Sequence, residues 1–213
     1  MTQEMQKITY EKLMWLFMIG SVLGVFLEGF WCLAIYGHWE THVVTVWGPF
    51  CIIYGLGMAG CYIGAALLKK KNLSVRFLTF SLIGAGVEFI CGWVLEYGLN
   101  MKAWDYSDSF LNIKGYVNLT MTLIWGILGI GFGYLVPALE CMFDKMKERS
   151  WHTACICLTV FMVINFAVTV VCFVRWSARH ENIPAANRIE QLIDEAFCDE
   201  WMQKRFCEWR FID

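Results

Sequence analysis

The sequence predicts an all-α fold, an integral membrane bundle of five transmembrane helices with an amphipathic C-terminal tail helix, and three observations predict it. Of 213 residues, 58% are hydrophobic and only 17% charged, with a mean hydropathy of +0.51, a profile far from that of a soluble domain. Five apolar runs reach the roughly 20 residues of helix needed to cross a hydrocarbon core of about 30 Å. These runs mix glycine, β-branched and aromatic residues without the period-two alternation of barrel strands, so helices are expected.

The first run, residues 13–36, is too long for a signal peptide, is interrupted by Glu28 and continues into bulky Phe30 and Trp31, so it is read as a retained helix. The second, residues 43–68, carries Gly55, Gly57, Gly60 and Gly64. The fourth, residues 116–139, carries Gly126, Gly129 and Gly133. Such small residues let helices approach closely, which makes these two runs central. The third, residues 77–97, holds Glu88 and Glu96, and the fifth covers residues 153–174. Residues 1–175 thus form the bundle and 176–213 the tail, where Ile189, Leu192, Ile193, Ala196 and Phe197 recur at helical spacing between Asn187 and Glu208. That helix would lie on the membrane surface or cover the outer mouth of the bundle.

Orientation follows from Lys and Arg. Lys7 and Lys12 precede the first span, Lys69, Lys70, Lys71 and Arg76 fill the second loop, and Lys145, Lys147 and Arg149 the fourth, whereas the other side has Lys102 and Lys114. The positive-inside rule places the N-terminus in the cytoplasm and the tail outside the cell membrane, although the chain after Val174 holds six basic residues, Arg175 among them. The net charge of −2 argues against a nucleic-acid partner.

Most of the ten cysteines fall within spans, where free cysteine behaves as a small hydrophobe. Cys155 and Cys157 point to different faces of a helix, and no metal spacing appears. His38 and His42 flank Glu40 at a spacing that suits a metal only on a helix; they are read as surface histidines without a ligand role, and neither a metal nor a cofactor is expected.

A carboxylate within a membrane helix costs about 3 kcal/mol on insertion scales and is a functional hypothesis by default. Glu88 lies near the middle of the third span, Glu28 somewhat outside the middle of the first, and Glu96 at the outer end of the third. Glu88 and Glu96 are separated by about 12 Å along the axis and roughly 80° in direction, so Glu28 pairs with Glu88 more easily. The structural alternative is that each accepts hydrogen bonds from Trp, Tyr, Ser or backbone groups. The outer third loop, residues 100–115, adds Trp104, Asp105 and Tyr106 just beyond Glu96, with Asn112 and Gly115 as turn formers near the fourth span. A weak repeat pairs Gly24-Val-Phe-Leu-Glu28 with Gly92-Trp-Val-Leu-Glu96, and Trp47-Gly48 with Trp125-Gly126, in parallel orientation.

These residues together are familiar. The run Glu88-Phe-Ile-Cys-Gly92-Trp93-Val-Leu95-Glu96, then Trp104-Asp105-Tyr106-Ser107, Asn112, Gly115 and Trp125-Gly126, resembles the bacterial family labelled putative ABC-transporter permease, type IV. Glu28, Gly48-Pro49 and Tyr54-Gly55 fit the same pattern, as do Ile183-Pro184, Asn187, Ile189-Glu190, Asp199-Glu200 and Met202 in the tail. The resemblance implies a multi-pass permease subunit in the lipid bilayer. A separate ATPase would drive it, because this chain has no Gly-x-x-x-x-Gly-Lys-[Ser/Thr] phosphate loop. Docking surfaces would be the loops at 69–76 and 140–149. In the family's tail prolines stand where this chain has Cys198 and Cys207, and the double replacement implies a disulfide between them.

The leading expectation is a transport component whose substrate-binding residues are Glu28, Glu88, Glu96, Trp104, Asp105, Tyr106, Asn112 and Trp125, with a cation, an amine or a proton as cargo and no enzymatic activity of its own. Two alternatives stay open: an intramembrane enzyme acting on a lipid or polyprenyl substrate, with Glu88 or Asp105 as general base, and a non-catalytic membrane assembly protein. Association with further copies of the chain is also open.

Overall fold

The computed structural model describes residues 7–40, 42–146 and 148–212; Lys147 of the orientation argument lies outside them. In chain order the elements are α1 (Tyr10–Tyr36), α2 (Ile52–Leu67), α3 (Leu73–Leu99), β1 (Met101–Lys102), α4 (Leu119–Lys145), α5 (Arg149–His180), α6 (Arg188–Ala196), α7 (Asp199–Arg205) and β2 (Arg210–Phe211). The protein is an all-α membrane bundle: α1, α3, α4 and α5 are long and apolar enough to cross a membrane, with α2 as a shorter apolar helix. Leucine, isoleucine, valine and phenylalanine side chains lie exposed along these helices, as lipid contact requires.

Helix starts are written in the sequence. Thr9, Asn72, Asn118 and Asn187 each accept a hydrogen bond from the backbone N–H three residues on, capping α1, α3, α4 and α6. Two antiparallel hairpins make the body, α1 packed on α2 and α3 on α4, and they meet where α2 contacts α3 and α4; α5 touches α1 and α3.

The second span departs from expectation. Helix begins only at Ile52, because the β-branched run Val43 to Val46, Gly48 in a left-handed conformation (φ +73°) and Pro49 do not continue a helix. Sixteen residues cover about 24 Å, short of a full crossing. The missing length is supplied by irregular backbone, and Val43, Val46, Phe50 and Cys51 within it are buried. Irregular backbone at membrane depth must be satisfied by protein, and here it is. Asn165 on α5 accepts from the Trp47 N–H (3.2 Å) and donates to the Trp47 carbonyl (2.9 Å), while Thr169 accepts from the Val46 N–H (3.0 Å). Arg205 donates to the Thr45 carbonyl (2.9 Å), and the Cys51 N–H donates to the Ser21 carbonyl (3.0 Å).

The tail is two short helices rather than one, broken at Phe197 and Cys198, and of the two expected placements it takes the one over the end of the bundle. Met202, Phe206 and Trp209 pack with Val43, Val46, Met101, Phe173 and Trp176, and β2 pairs antiparallel with β1, Met101 opposite Phe211. Buried Arg175 holds Asp194 through two hydrogen bonds (3.1 and 2.6 Å), and Arg179 holds Asp199 (2.6 Å). Those guanidinium groups, Arg175 first, outweigh burial and hold the Asp194 carboxyl below the usual range. The disulfide expected between Cys198 and Cys207 is corrected: neither sulfur is bonded to another cysteine in the structure.

Candidate functional site

Along α1 stand Phe17, Ser21, Gly24 and Glu28; along α3 stand Phe77, Ser81, Gly84 and Glu88, the same residue types at the same spacing. Each helix receives an aromatic-glycine pair from its hairpin partner, Tyr54-Gly55 on α2 and Trp125-Gly126 on α4. A Cβ at Gly55 would strike Ser21 and Phe17, and one at Gly126 would strike Ser81 and Phe77. Gly24 lies under the Tyr54 ring and Gly84 under the Trp125 ring. One turn away the sizes reverse: Gly20 faces Met58, whereas Phe80 faces Gly129, so the pair keeps its volume. Three successive layers agree, so the hairpins are two copies of one packing unit.

The register differs from that of the sequence reading. Contacts superpose Gly24 and Glu28 on Gly84 and Glu88, and Tyr54-Gly55 on Trp125-Gly126, instead of on Gly92, Glu96 and Trp47-Gly48. Gly92 seats a ring as well, that of Tyr116, but Tyr116 precedes α4 and has no counterpart in the first hairpin.

Both cradles deliver an aromatic polar group to a carboxylate. The Trp125 Nε1–H donates to Glu88 Oε1 at 3.0 Å, and the Tyr54 hydroxyl faces Glu28. Glu88 Oε2 is buried without a hydrogen-bond partner among the described residues, as are the Ser21 and Ser81 hydroxyls. A buried acceptor left unsatisfied costs about 1–3 kcal/mol, more if charged, so the second oxygen of Glu88 stands ready for a donor or a cation. Glu28 is less enclosed and lies 3.6 Å from His42 Nδ1.

A third aromatic joins from the loop after β1. The Tyr106 N–H donates to the Gly115 carbonyl at 2.8 Å, which turns the loop back on itself at Gly115 (φ +72°). Burial first, then the charges of Glu88 and Glu28, push the Tyr106 phenol above its usual range. Tyr106 thus lies within electrostatic reach of both carboxylates, and also of Tyr54.

Of the expected site residues, Trp125 bonds Glu88 directly, and Glu28 and Tyr106 lie within electrostatic reach of Glu88. The others build the loop. Asp105 accepts from the Ser107 N–H (3.0 Å) and pairs with Lys102 (2.9 Å); the bonds with Ser107 and Lys102 hold its carboxyl down at about 2. Asn112 donates to the Ser107 and Ser109 carbonyls and accepts from the Gly115 N–H. Trp104 Nε1–H donates to the Tyr116 carbonyl at 2.8 Å, and Glu96 sits beside Tyr116. Sequence reasoning missed Tyr54 as a site residue, although the pairing of Tyr54-Gly55 with Trp125-Gly126 was there to find it. It also missed His42, whose side chain is only 20% exposed and bonded to Glu208 (2.9 Å), a partner 166 residues away.

A cavity of about 690 Å³ lies at the opposite end of the bundle. Lys7, Lys12, Lys69, Glu140, Phe143 and Trp151 are among its lining residues. The Lys12–Glu140 ion pair (2.6 Å) closes the α1–α4 contact there. Its size does not make it the site of the membrane carboxylates, which the two cradles position independently of it.

A family model described as "Putative ABC-transporter type IV" matches residues 15–170. No curated protein and no solved structure matches the chain.

Proposed function

The chain belongs to the "Putative ABC-transporter type IV" family, whose model covers well over half of it, and on that premise we propose that it is a membrane-spanning permease subunit. Its cargo site is formed by Glu28 and Glu88, one from each copy of the packing unit, with Tyr54, Tyr106 and Trp125 around them. The observation that carries this reading is the duplicated cradle itself: two hairpins of different sequence each keep a glycine seat, an aromatic donor and a carboxylate inside the membrane. Parallel repeats with a site between the halves are a recurrent transporter plan. Glu88 Oε2, buried and unpartnered, favours a cargo that brings a positive charge or a proton. The site faces the tail end, and the excess of Lys and Arg at the other end puts that other end in the cytoplasm. A separate ATPase docks there, on the segments at 69–76 and 140–149, which comprise the connections between α2 and α3 and between α4 and α5 with the helix ends beside them.

Purification of the tagged full chain from membranes in mild detergent, followed by mass spectrometry, tests this reading. The expected result is a nucleotide-binding subunit in stoichiometric amount and a bound cationic small molecule that is lost in Glu88→Gln. Recovery of the chain alone, with nothing displaced by the substitution, overturns it.

A further inference from the structure

Above Glu28, where α1 ends and the irregular segment begins, a group of side chains lies outside the carboxylate pair. Cys32 Sγ is 3.3 Å from His42 Nε2 and 3.6 Å from Glu40 Oε2, and His42 Nε2 is 3.1 Å from the same Glu40 oxygen. All three ligand atoms lie within 4.8 Å of one another. A tetrahedral Zn²⁺ with Zn–S of about 2.3 Å and Zn–N or Zn–O of about 2.0–2.1 Å sets its ligand atoms about 3.4–3.6 Å apart. The three observed separations therefore match the edges of such a tetrahedron to within a few tenths of an ångström.

The surroundings are those of a ligand set and not of a chance contact. His42 presents Nε2 to the group while Nδ1 is held by Glu208 Oε2 at 2.9 Å, the carboxylate-histidine arrangement that fixes the tautomer of a metal-binding imidazole. His38 Nε2 likewise holds the other oxygen of Glu40 at 2.9 Å. The His42 backbone sits at φ +43°, in the left-handed region that few non-glycine residues occupy, and its N–H is tied to Glu208 Oε1 at 2.9 Å. Cys32 is 3% exposed, so its sulfur is shielded from solvent. Glu28, Glu40 and Glu208 surround His42, and a divalent cation supplies the countercharge that one imidazole does not. The helical spacing that would have signalled a site at His38 and His42 is absent because the segment is irregular; Cys32, from the end of α1, takes the place of the second histidine.

We propose that Cys32, Glu40 and His42 bind one zinc-class transition-metal ion, resident in the protein, with a fourth position open to water. Binding releases the Cys32 thiol proton to solvent as the thiolate–metal bond forms, and His42 binds as the neutral imidazole. The ion fastens the α1–α2 segment to the tail through Glu208. The site does not depend on the transport reading, and its failure would leave that reading intact.

The test uses the purified full chain in detergent, stripped with a chelator and titrated with Co²⁺ alone. The expected result is one tight Co²⁺ with a near-ultraviolet thiolate-to-cobalt charge-transfer band, bleached by equimolar Zn²⁺ and absent in Cys32→Ser. His42→Gln is expected to weaken Zn²⁺ binding at least about tenfold, the lower end of what loss of even an outer-shell partner does. Zn²⁺ is also expected to slow proteolysis of the tail in the unsubstituted protein. Co²⁺ binding without the band, a band that survives in Cys32→Ser, or no tight binding to the unsubstituted chain each overturns the proposal; the last needs no variant to fold.

Discussion

The two hairpins pack alike where they are buried and differ where they meet the tail end. In the α3–α4 hairpin, Glu88 is sealed, with Trp125 its hydrogen-bond donor and one oxygen unpartnered. In the α1–α2 hairpin, Glu28 opens onto His42 because α2 starts late and an irregular segment replaces its first turns. The same packing unit thus yields a closed carboxylate in one copy and a connected one in the other. Helix–helix contact is fixed by glycine seats, while the polarity of a site is fixed by what covers its end.

The largest effect should come from filling a glycine seat. Gly84→Val drives Trp125 off its seat and removes the donor to Glu88; overpacking and a lost partner together should cost about 3 kcal/mol or more, read as loss of folded protein in detergent thermal melts. Gly24→Val should act the same way through Tyr54. If either is tolerated, the equivalence of the copies breaks. Removing only the donor sharpens the comparison: Trp125→Phe should cost about 1–3 kcal/mol because Glu88 is left without its donor. Tyr54→Phe should cost less, about 0.5–1.5 kcal/mol, since Glu28 retains His42. Equal losses would mean that Glu28 is as sealed as Glu88.

A third difference is in pH dependence. Burial alone lowers the His42 pKa, but the hydrogen bond to Glu208 and the charges of Glu28, Glu208 and Glu40 outweigh it and raise the net value. A histidine whose folded value exceeds its ordinary value of about 6.5 contributes stability that is fully present below about 6.5 and lost as pH rises through the folded value. Melting temperature in chelator should therefore fall as pH rises above about 6.5, and His42→Gln should flatten that slope. The smallest effects are expected away from both cradles. Gly86→Ala meets nothing within 4 Å and should raise stability by about 0.5–1 kcal/mol through helix propensity. Asp105→Asn should shift it by about 0.5 kcal/mol or less, since the side chain is exposed and bonded mainly within its own loop.

The class of fold was legible because it rests on the length of apolar runs, a one-dimensional property. So were the carboxylates, since charge stands out against an apolar background. The start of α2 at Ile52 was not, because Val43 to Cys51 is as apolar as a helix; the partners Asn165, Thr169 and Arg205, far along the chain, help explain how an irregular backbone stays buried. The repeat was visible but in the wrong register: Gly24 and Gly92 share a local string, whereas Gly24 and Gly84 each seat the aromatic ring of an aromatic-glycine pair, Tyr54 and Trp125. The tail's place over the bundle was among the expected outcomes, yet its break at Cys198 was hidden, because the apolar spacing of α6 runs on through Phe197.

Uptake of a cationic cargo into vesicles carrying the chain with the proposed ATPase subunit is the most direct test of the proposed shared carboxylate site. With Glu28→Gln and Glu88→Gln together, ATP-driven uptake should be abolished while the stoichiometry of the complex is unchanged. Uptake at the rate of the unsubstituted protein would contradict the assignment of both carboxylates.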